Sequence, residues 1–491
     1  MIDALRLAAG WLLAWLLGVG IVAALAPCRK GVGAAVPARR ADTRTATWRG
    51  DAVWTIGSGF FAGAFVLTVW MRILSAAHVR FSVASIAAPL AIATLALLAL
   101  AYARRRSRNL AVVTGTGNDV VAANAAPRGP DTPLSNPLRA LWWALAAWLA
   151  ARFVMLLLEV VRIPLYPWDA WEQWATKARV WYAFGRIVPF VDVGAWFAAH
   201  GTAWTDASPA YPATIPLWQV WSSIALGRWD DALMNLPWWL TGVALALAVY
   251  GAVRRSGASA LAAMVGAWLV SSLPLANVHV ALAGYADLPM AGYYALAALA
   301  LWRWAEARRM GDALLALVLA VACPSIKTPG IVWALTLAPA VLVTLLPKRG
   351  LRLVGIGLAI AAFVLLVLAR AHPQVLGYRL HLDFAPAWEG LADSFFLLGN
   401  WNLLWYAVLA CAIVMWRDLT QRPLLPLSLV LGTGIAFLAV VFAFTNARNW
   451  VSDQTTINRA VLHIAPLAAV WSVLLCVRWL DRHGLAHAKA A

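Results

Sequence analysis

Charge is what this sequence has least of. Asp, Glu, Lys and Arg make up 12% of its 491 residues, and only 21 residues are acids. A water-facing domain carries roughly 25% charged residues, so this chain cannot coat a globular surface. Cysteine is also scarce: Cys28, Cys323, Cys411 and Cys476 lie in or beside apolar runs. Without paired spacing they suggest neither a disulfide framework nor a zinc site. The eight His show no zinc-ligand spacing. No Walker motif is present, and no G-x-G-x-x-G opens a helix after a strand, so a nucleotide-sugar or ATP site has no support. No internal repeat or low-complexity tract stands out.

What is abundant is apolar sequence. Hydrophobic residues are 63% of the chain and the mean hydropathy is +0.75. Apolar stretches reach the ~20 residues that cross a bilayer as a helix, and they follow one another along the whole length. Lipid offers the backbone no hydrogen bonds, so such stretches are helices. The expected fold is an all-α, polytopic transmembrane helix bundle. Spans are read near 5–27, 53–74, 82–103, 138–164, 232–253, 258–280, 286–305, 311–326, 329–347, 351–370, 395–416, 424–444 and 460–479, about thirteen in all. The first run reads as a retained anchor rather than a cleaved signal peptide.

The net charge of +18 is not a nucleic-acid footprint. Lys and Arg sit in short clusters between apolar runs: Arg39 and Arg40, Arg104 to Arg106, Arg254 and Arg255, Arg308 and Arg309, Lys348 and Arg349. That is the positive-inside pattern. It puts 28–52, 104–137 and the tail 480–491 in the cytoplasm of an inner-membrane protein, and 165–231, 371–394 and 445–459 outside. Alternation requires that the apolar piece 213–227 not fully cross; it reads as re-entrant or interfacial. The chain divides into an N-terminal part with three spans and basic loops (1–137), a second module (138–479) with an external loop at 165–231, and the tail. The outer segments hold Trp, Tyr, His and most of the acids that are not beside a basic cluster.

After the span ending near Pro164 comes YPWDAWEQWATKARVWYAFGR. At 100° per residue, Trp171, Trp174 and Trp181 share one side of a helix. Asp169, Glu172 and Arg179 share the other, with Lys177 at its flank. The blander reading is an interfacial helix anchored by Trp, its charges solvated. The functional reading is a carboxylate acting as general base toward a hydroxyl, with Lys177 and Arg179 pairing a phosphate.

Trp168, Asp169, Ala170, Trp171, Trp174, Lys177, Ala178 and Tyr182 match a W-D-A-W-x-x-W-x-x-K-A-x-x-x-Y pattern. The segment resembles the first external loop of the GT-C glycosyltransferases, especially bacterial relatives of the dolichyl-phosphate-mannose–protein mannosyltransferases. Three further blocks follow in the family's order: SPAYPATIPLWQVW at 208–221, which contains Tyr211, GYADLPMAGYY at 284–294, and SIKTPGIVWAL at 325–335. The resemblance covers roughly 138–479. It departs at Ser208 and Ala210, where the family has His and Asp, and at Pro329, where a variant of the last block has an acid.

The resemblance implies a catalytic carboxylate at Asp169, a second acid facing the site at Asp287, and a phosphate partner at Lys327. It implies a donor-phosphate role for Arg459 in NRAVLHIAP, with His463 one turn on. Glu172 is the next candidate base. A helix-terminal acid stabilised by the macrodipole is the bland account of Asp287, and a snorkelling lysine that of Lys327. The expected partners are a polyprenyl-phosphate sugar donor, a hydroxyl acceptor and membrane lipid, with no nucleic acid. The metal question stays open, a divalent ion being possible between Asp169 and Asp287. The loop 371–394 (His372, Tyr378, Arg379, His381, Asp383) is expected to shape acceptor binding. The leading expectation is an inverting glycosyltransferase acting on the periplasmic face. The alternative is a membrane transporter or lipid flippase, which would place ionisable residues and broken helices near the bilayer midplane.

Overall fold

A computed structural model describes residues 2–26, 44–113, 134–375 and 377–483. Cys28, most of the two expected cytoplasmic loops and the end of the tail lie outside the described residues. The chain is a bundle of helices. Among the described residues, sheet is confined to a hairpin in which Gln374–Val375 pairs antiparallel with Tyr378–Arg379, a small departure from the all-α expectation.

Seven helices are long and apolar enough to cross a membrane: Ile2–Leu25, Gly50–Ala76, Val83–Arg104, Asn136–Arg162, Leu233–Arg255, Gly350–Ala369 and Leu425–Phe444. Two further stretches are bent pairs, Ala260–Ser271 with Pro274–Ala281 (62°) and Thr455–Leu462 with Ala465–Arg482 (45°), giving up to nine crossings by length and composition. The expected spans 311–326, 329–347 and 395–416 hold shorter apolar helices. The stretch 286–305 is the 21-residue helix Asp287–Ala307, whose first 17 residues are all buried. In 213–227 the helix is Thr214–Leu226, 13 residues with all but Ile224 buried. At 1.5 Å per residue it is about 20 Å long, short of a ~30 Å hydrocarbon core. It is an inner helix, neither a full span nor a surface one.

The burial pattern follows the chemistry of each helix. Gly350–Ala369 is apolar all round and exposes Ile356, Ile360, Phe363 and Val367, as a span facing lipid does. The N-terminal helices instead enter the core. Leu7, Trp11, Phe60 and Phe61 share one buried cluster with Trp218, Trp238 and Tyr293. Small residues four apart let backbones touch: a Cβ on Gly18 would lie 1.8 Å from the Gly59 carbonyl oxygen, and one on Gly63 would lie 1.8 Å from that of Ala14. Gly57 and Gly251 do the same between Gly50–Ala76 and Leu233–Arg255, where a Cβ on either would lie 2.2 Å from a backbone nitrogen of the other helix. Residues 1–113 are thus packed into the same body as the rest wherever they are described.

The bundle has two chemically different ends. The Arg104 guanidinium donates to the Ala24 carbonyl, Arg308 to that of Thr344 and Arg422 to that of Pro347. Arg255 pairs with Asp312. Among the described residues, the basic clusters therefore gather at the end where Asp287–Ala307 finishes. Asp287 starts that helix, about 30 Å away.

Candidate active site

Asp287 is reached through a glycine. Gly284 has φ +107, and a Cβ there would lie 2.6 Å from Ala170 Cβ and 2.7 Å from Leu165 Cδ1. Only a residue without a side chain lets the 284–287 turn abut the segment that carries Asp169. Tyr285 then lies in the turn, its carbonyl accepting from Trp238 Nε1 at 2.7 Å, and Asp287 enters the first helical turn with no exposed surface.

Three side chains from two further stretches of the chain converge on this acid. Lys327 ends the helix Met310–Ile326 in extended conformation and donates from Nζ to Asp287 Oδ1 at 2.6 Å. Arg459, on the helix Thr455–Leu462, donates from Nε to Oδ2 at 2.9 Å. His463, at the bend that follows, contacts Oδ1 through Nε2 at 3.0 Å. A carboxylate only accepts, so His463 carries its proton on Nε2, and its Nδ1 is buried without a partner. The same Arg459 reaches Asp169 through Nη1 and lies 4.6 Å from the centre of the Tyr285 ring. Asp169, Asp287, Lys327, Arg459 and His463 form one cluster drawn from four regions of the chain.

Within the cluster the two acids differ. Both oxygens of Asp287 are occupied and the residue is sealed. The Asp169 side chain is 27% exposed and Arg459 20%, so these two form the open rim. Tyr211 stacks on Trp174 at 4.9 Å and 26°. Burial raises the Tyr211 and Tyr378 phenols, and the charges of Asp287 and Arg459 reach both. They stay neutral donors beside the rim. Buried His279 packs against Tyr285 at 5.3 Å.

The remaining expected residues stand apart. Lys177 is buried and spent: it pairs with Asp206 and donates to the carbonyls of Ser208 (2.7 Å) and Gln173 (3.2 Å). Burial pulls its pKa down, and Asp206 opposes that. It is a clamp inside the 165–231 segment, with no free face for a phosphate. Arg179 is exposed, its guanidinium 5.0 Å from the centre of the Trp229 ring. Glu172 is half-buried and outside the cluster's hydrogen bonds. Trp174 and Trp181 are buried as expected, but Trp171 is 42% exposed and meets Trp168 edge-on at 5.1 Å. The cause is local: Trp171–Ala175 is a π-helical turn, and its wider turn breaks the phase of a wheel drawn at 100°.

The donor set does not fit a divalent ion. Asp287 is hemmed by two cations that would repel one, and among the described residues no group of three or more His, Cys, Asp or Glu could hold a metal. Tyr285 was legible in the quoted block, two residues before Asp287. Asp206 carried no signal, since its partner Lys177 lies in another segment. Compared with family models, curated proteins and solved structures, the chain finds no match.

Proposed function

We propose that the chain is a membrane glycosyltransferase of the GT-C type, moving a sugar from a polyprenyl-phosphate donor to a hydroxyl acceptor on the periplasmic face of the inner membrane. The observation that carries this reading is the pairing of Asp169 with Arg459 across 290 residues, at the open rim of a buried ionic cluster. Sealed Asp287 fixes Arg459, and half-open Asp169 is the one acid of the cluster that a substrate can reach.

In this mechanism the incoming phosphate displaces Asp169 from Arg459 Nη1, and Asp169 is released. Asp169 takes the proton of the acceptor hydroxyl. The acceptor oxygen attacks the anomeric carbon while the bond from that carbon to the phosphate oxygen breaks, and the electron pair leaves on the phosphate. One displacement inverts the configuration. Fixed cations at the developing charge supply the largest stabilisation. Tyr211 and Tyr378, within electrostatic reach of Asp287 and Arg459, are the proposed hydrogen-bond donors to sugar hydroxyls. Transfer of labelled sugar from a polyprenyl-phosphate to acceptor lipid in proteoliposomes tests the reading; a wild-type protein that transfers none of the common polyprenyl-linked hexoses or pentoses would sink it.

One observation favours the transporter alternative. One bent pair carries Arg459 and His463 into the cluster, and the other places His279 on the Tyr285 ring beside it; broken helices at ionisable residues are a transporter device. Movement of a fluorescent polyprenyl-phosphate between leaflets, unaffected by acceptor, would favour it.

A further inference from the structure

The cluster is electrically spent. Its two carboxylates, Asp169 and Asp287, balance its two cations, Arg459 and Lys327, and Lys177 is balanced by Asp206. A phosphoester adds at least one negative charge, and its departure as a phosphomonoester adds another. A site beside lipid needs a cation in reserve.

Arg72 is such a cation. It lies in the Gly50–Ala76 span, one turn before Ser75, whose hydroxyl accepts from the Ile187 N–H of the external loop at 3.0 Å. Arg72 is therefore at the same end of the bundle as the cluster. Its Nη2 donates to Thr214 Oγ1 at 2.7 Å and to the Ser325 carbonyl at 3.4 Å. Thr214 opens the inner helix three residues after Tyr211, and Ser325 precedes Lys327 by two. Among the described residues Arg72 has no carboxylate partner, and its Nε is buried with no hydrogen bond. A guanidinium held in a span by one hydroxyl and one carbonyl is costly to keep, and a core position needing only a hydrogen bond would not require it.

We propose that Arg72 is the anion-receiving residue of the site, binding the phosphate of a lipid phosphomonoester or phosphodiester between the Tyr211 and Lys327 elements. The three N-terminal helices then have a function beyond packing: they deliver the phosphate's counter-charge. The identity of the lipid rests on the donor reading above; the anion site itself does not.

The test uses the full chain in nanodiscs of zwitterionic lipid, titrated with dodecyl phosphate, dodecanol, inorganic phosphate and phosphatidylglycerol, and read by tryptophan fluorescence. Wild type should bind dodecyl phosphate at least tenfold tighter than dodecanol and inorganic phosphate. Arg72→Gln should weaken dodecyl phosphate at least tenfold without changing dodecanol, and Arg72→Lys should recover most of it. Thr214→Asp places a carboxylate of similar size beside Arg72, in a helix first turn that favours an acid. It should fold and lose dodecyl phosphate as Arg72→Gln does, which keeps the test decisive if the glutamine variant does not fold. Thr214→Val removes only the brace and should stay within twofold of wild type. The proposal is overturned if Arg72→Gln or Thr214→Asp binds dodecyl phosphate like wild type, or if Thr214→Val loses as much as they do. Equal, Arg72-dependent binding of inorganic phosphate would refute a lipid ligand, and preference for phosphatidylglycerol would move the site from donor to bulk lipid. Arg72-dependent binding of dodecyl phosphate without any sugar transfer would sink the glycosyltransferase reading alone.

Discussion

The helix Asp287–Ala307 has an ionic network at each end, and the two are built differently. At its far end Arg303 pairs with Glu306 three residues on, Glu306 with Arg478, Arg255 with Asp312 and Asp51, and Arg482 with Asp418. These pairs join helix termini where the basic clusters emerge. Several are open: Asp51 is 45% exposed and Arg482 37%. At the near end a single sealed carboxylate collects three partners, separated from it by 40, 172 and 176 residues, and hands one of them to a second, half-open acid. The far end mixes open pairs, which cap a bundle at little energetic gain, with two buried ones, Arg255–Asp312 and Arg303–Glu306. Charges at the near end are pre-positioned at the cost of desolvation, which is how sites rather than staples are made.

The sharpest way to break this comparison is to remove one acid at each end. Asp169→Asn keeps the shape and removes the proposed base, so on that reading sugar transfer should fall by about 10³-fold with an unchanged melting profile. Glu306→Gln should leave transfer within about twofold. If both variants lose activity alike, the near end holds no privileged chemistry.

Asp287→Asn probes the second largest difference. It leaves Lys327 and Arg459 buried without their shared counter-charge, which costs about 3–5 kcal/mol, read as thermal stability. Pairing it with Lys327→Met should restore part of that loss, because one orphan charge goes with it. Asp51→Asn at the far end should cost under about 1 kcal/mol. Equal losses would make both ends structural clamps.

Gly284→Ala tests how the near end is assembled. Its Cβ would collide with Ala170 and Leu165 in a backbone region that L-residues rarely adopt, pushing the Asp169 segment away from Arg459. A displacement near 1 Å costs about 10²-fold in rate, with a stability loss of about 1–3 kcal/mol. Wild-type transfer by this variant would mean that the Asp169–Arg459 contact is dispensable.

Much of this was legible in the sequence, for physical reasons that also mark the limits. Spans such as 53–74 and 351–370 are dictated by hydropathy, because lipid admits only helices of that length. Asp169, Asp287, Lys327 and Arg459 stood out as ionisable groups in, or at the ends of, segments expected outside, and the resemblance gave them, with His463 one turn after Arg459, their expected roles. Partnership was not legible. Lys177 reads as a free cation on a helical wheel, yet Asp206, 29 residues on, consumes it. The wheel itself failed at Trp171, where a π turn replaces the α turn it assumes. Arg72 carries no signal in the sequence, and only its three-dimensional neighbours reveal that, among the described residues, no acid answers it.

The smallest expected effect makes the finest test, and it falls on Arg179. On the helical wheel this residue shares a face with Asp169 and Glu172, which made it a phosphate candidate. In the structure it points to solvent over Trp229, on the loop rather than in the cluster, and Arg459 occupies the position beside Asp169 that a phosphate-binding arginine would need. An exposed cation–π contact is worth about 0.5–1 kcal/mol, so Arg179→Ala should lower stability by no more than that. Its Michaelis constant for the polyprenyl-phosphate donor should stay within about twofold of wild type, because a solvated charge is screened beyond roughly 8–10 Å at ordinary salt. Measuring that constant at low and high salt separates the two origins of any change: long-range steering fades with salt, whereas a direct phosphate contact does not. A tenfold rise that survives high salt would move the donor phosphate out of the buried end and onto the external loop. The division between a sealed ionic anchor and an open rim would then have to be redrawn around Arg179.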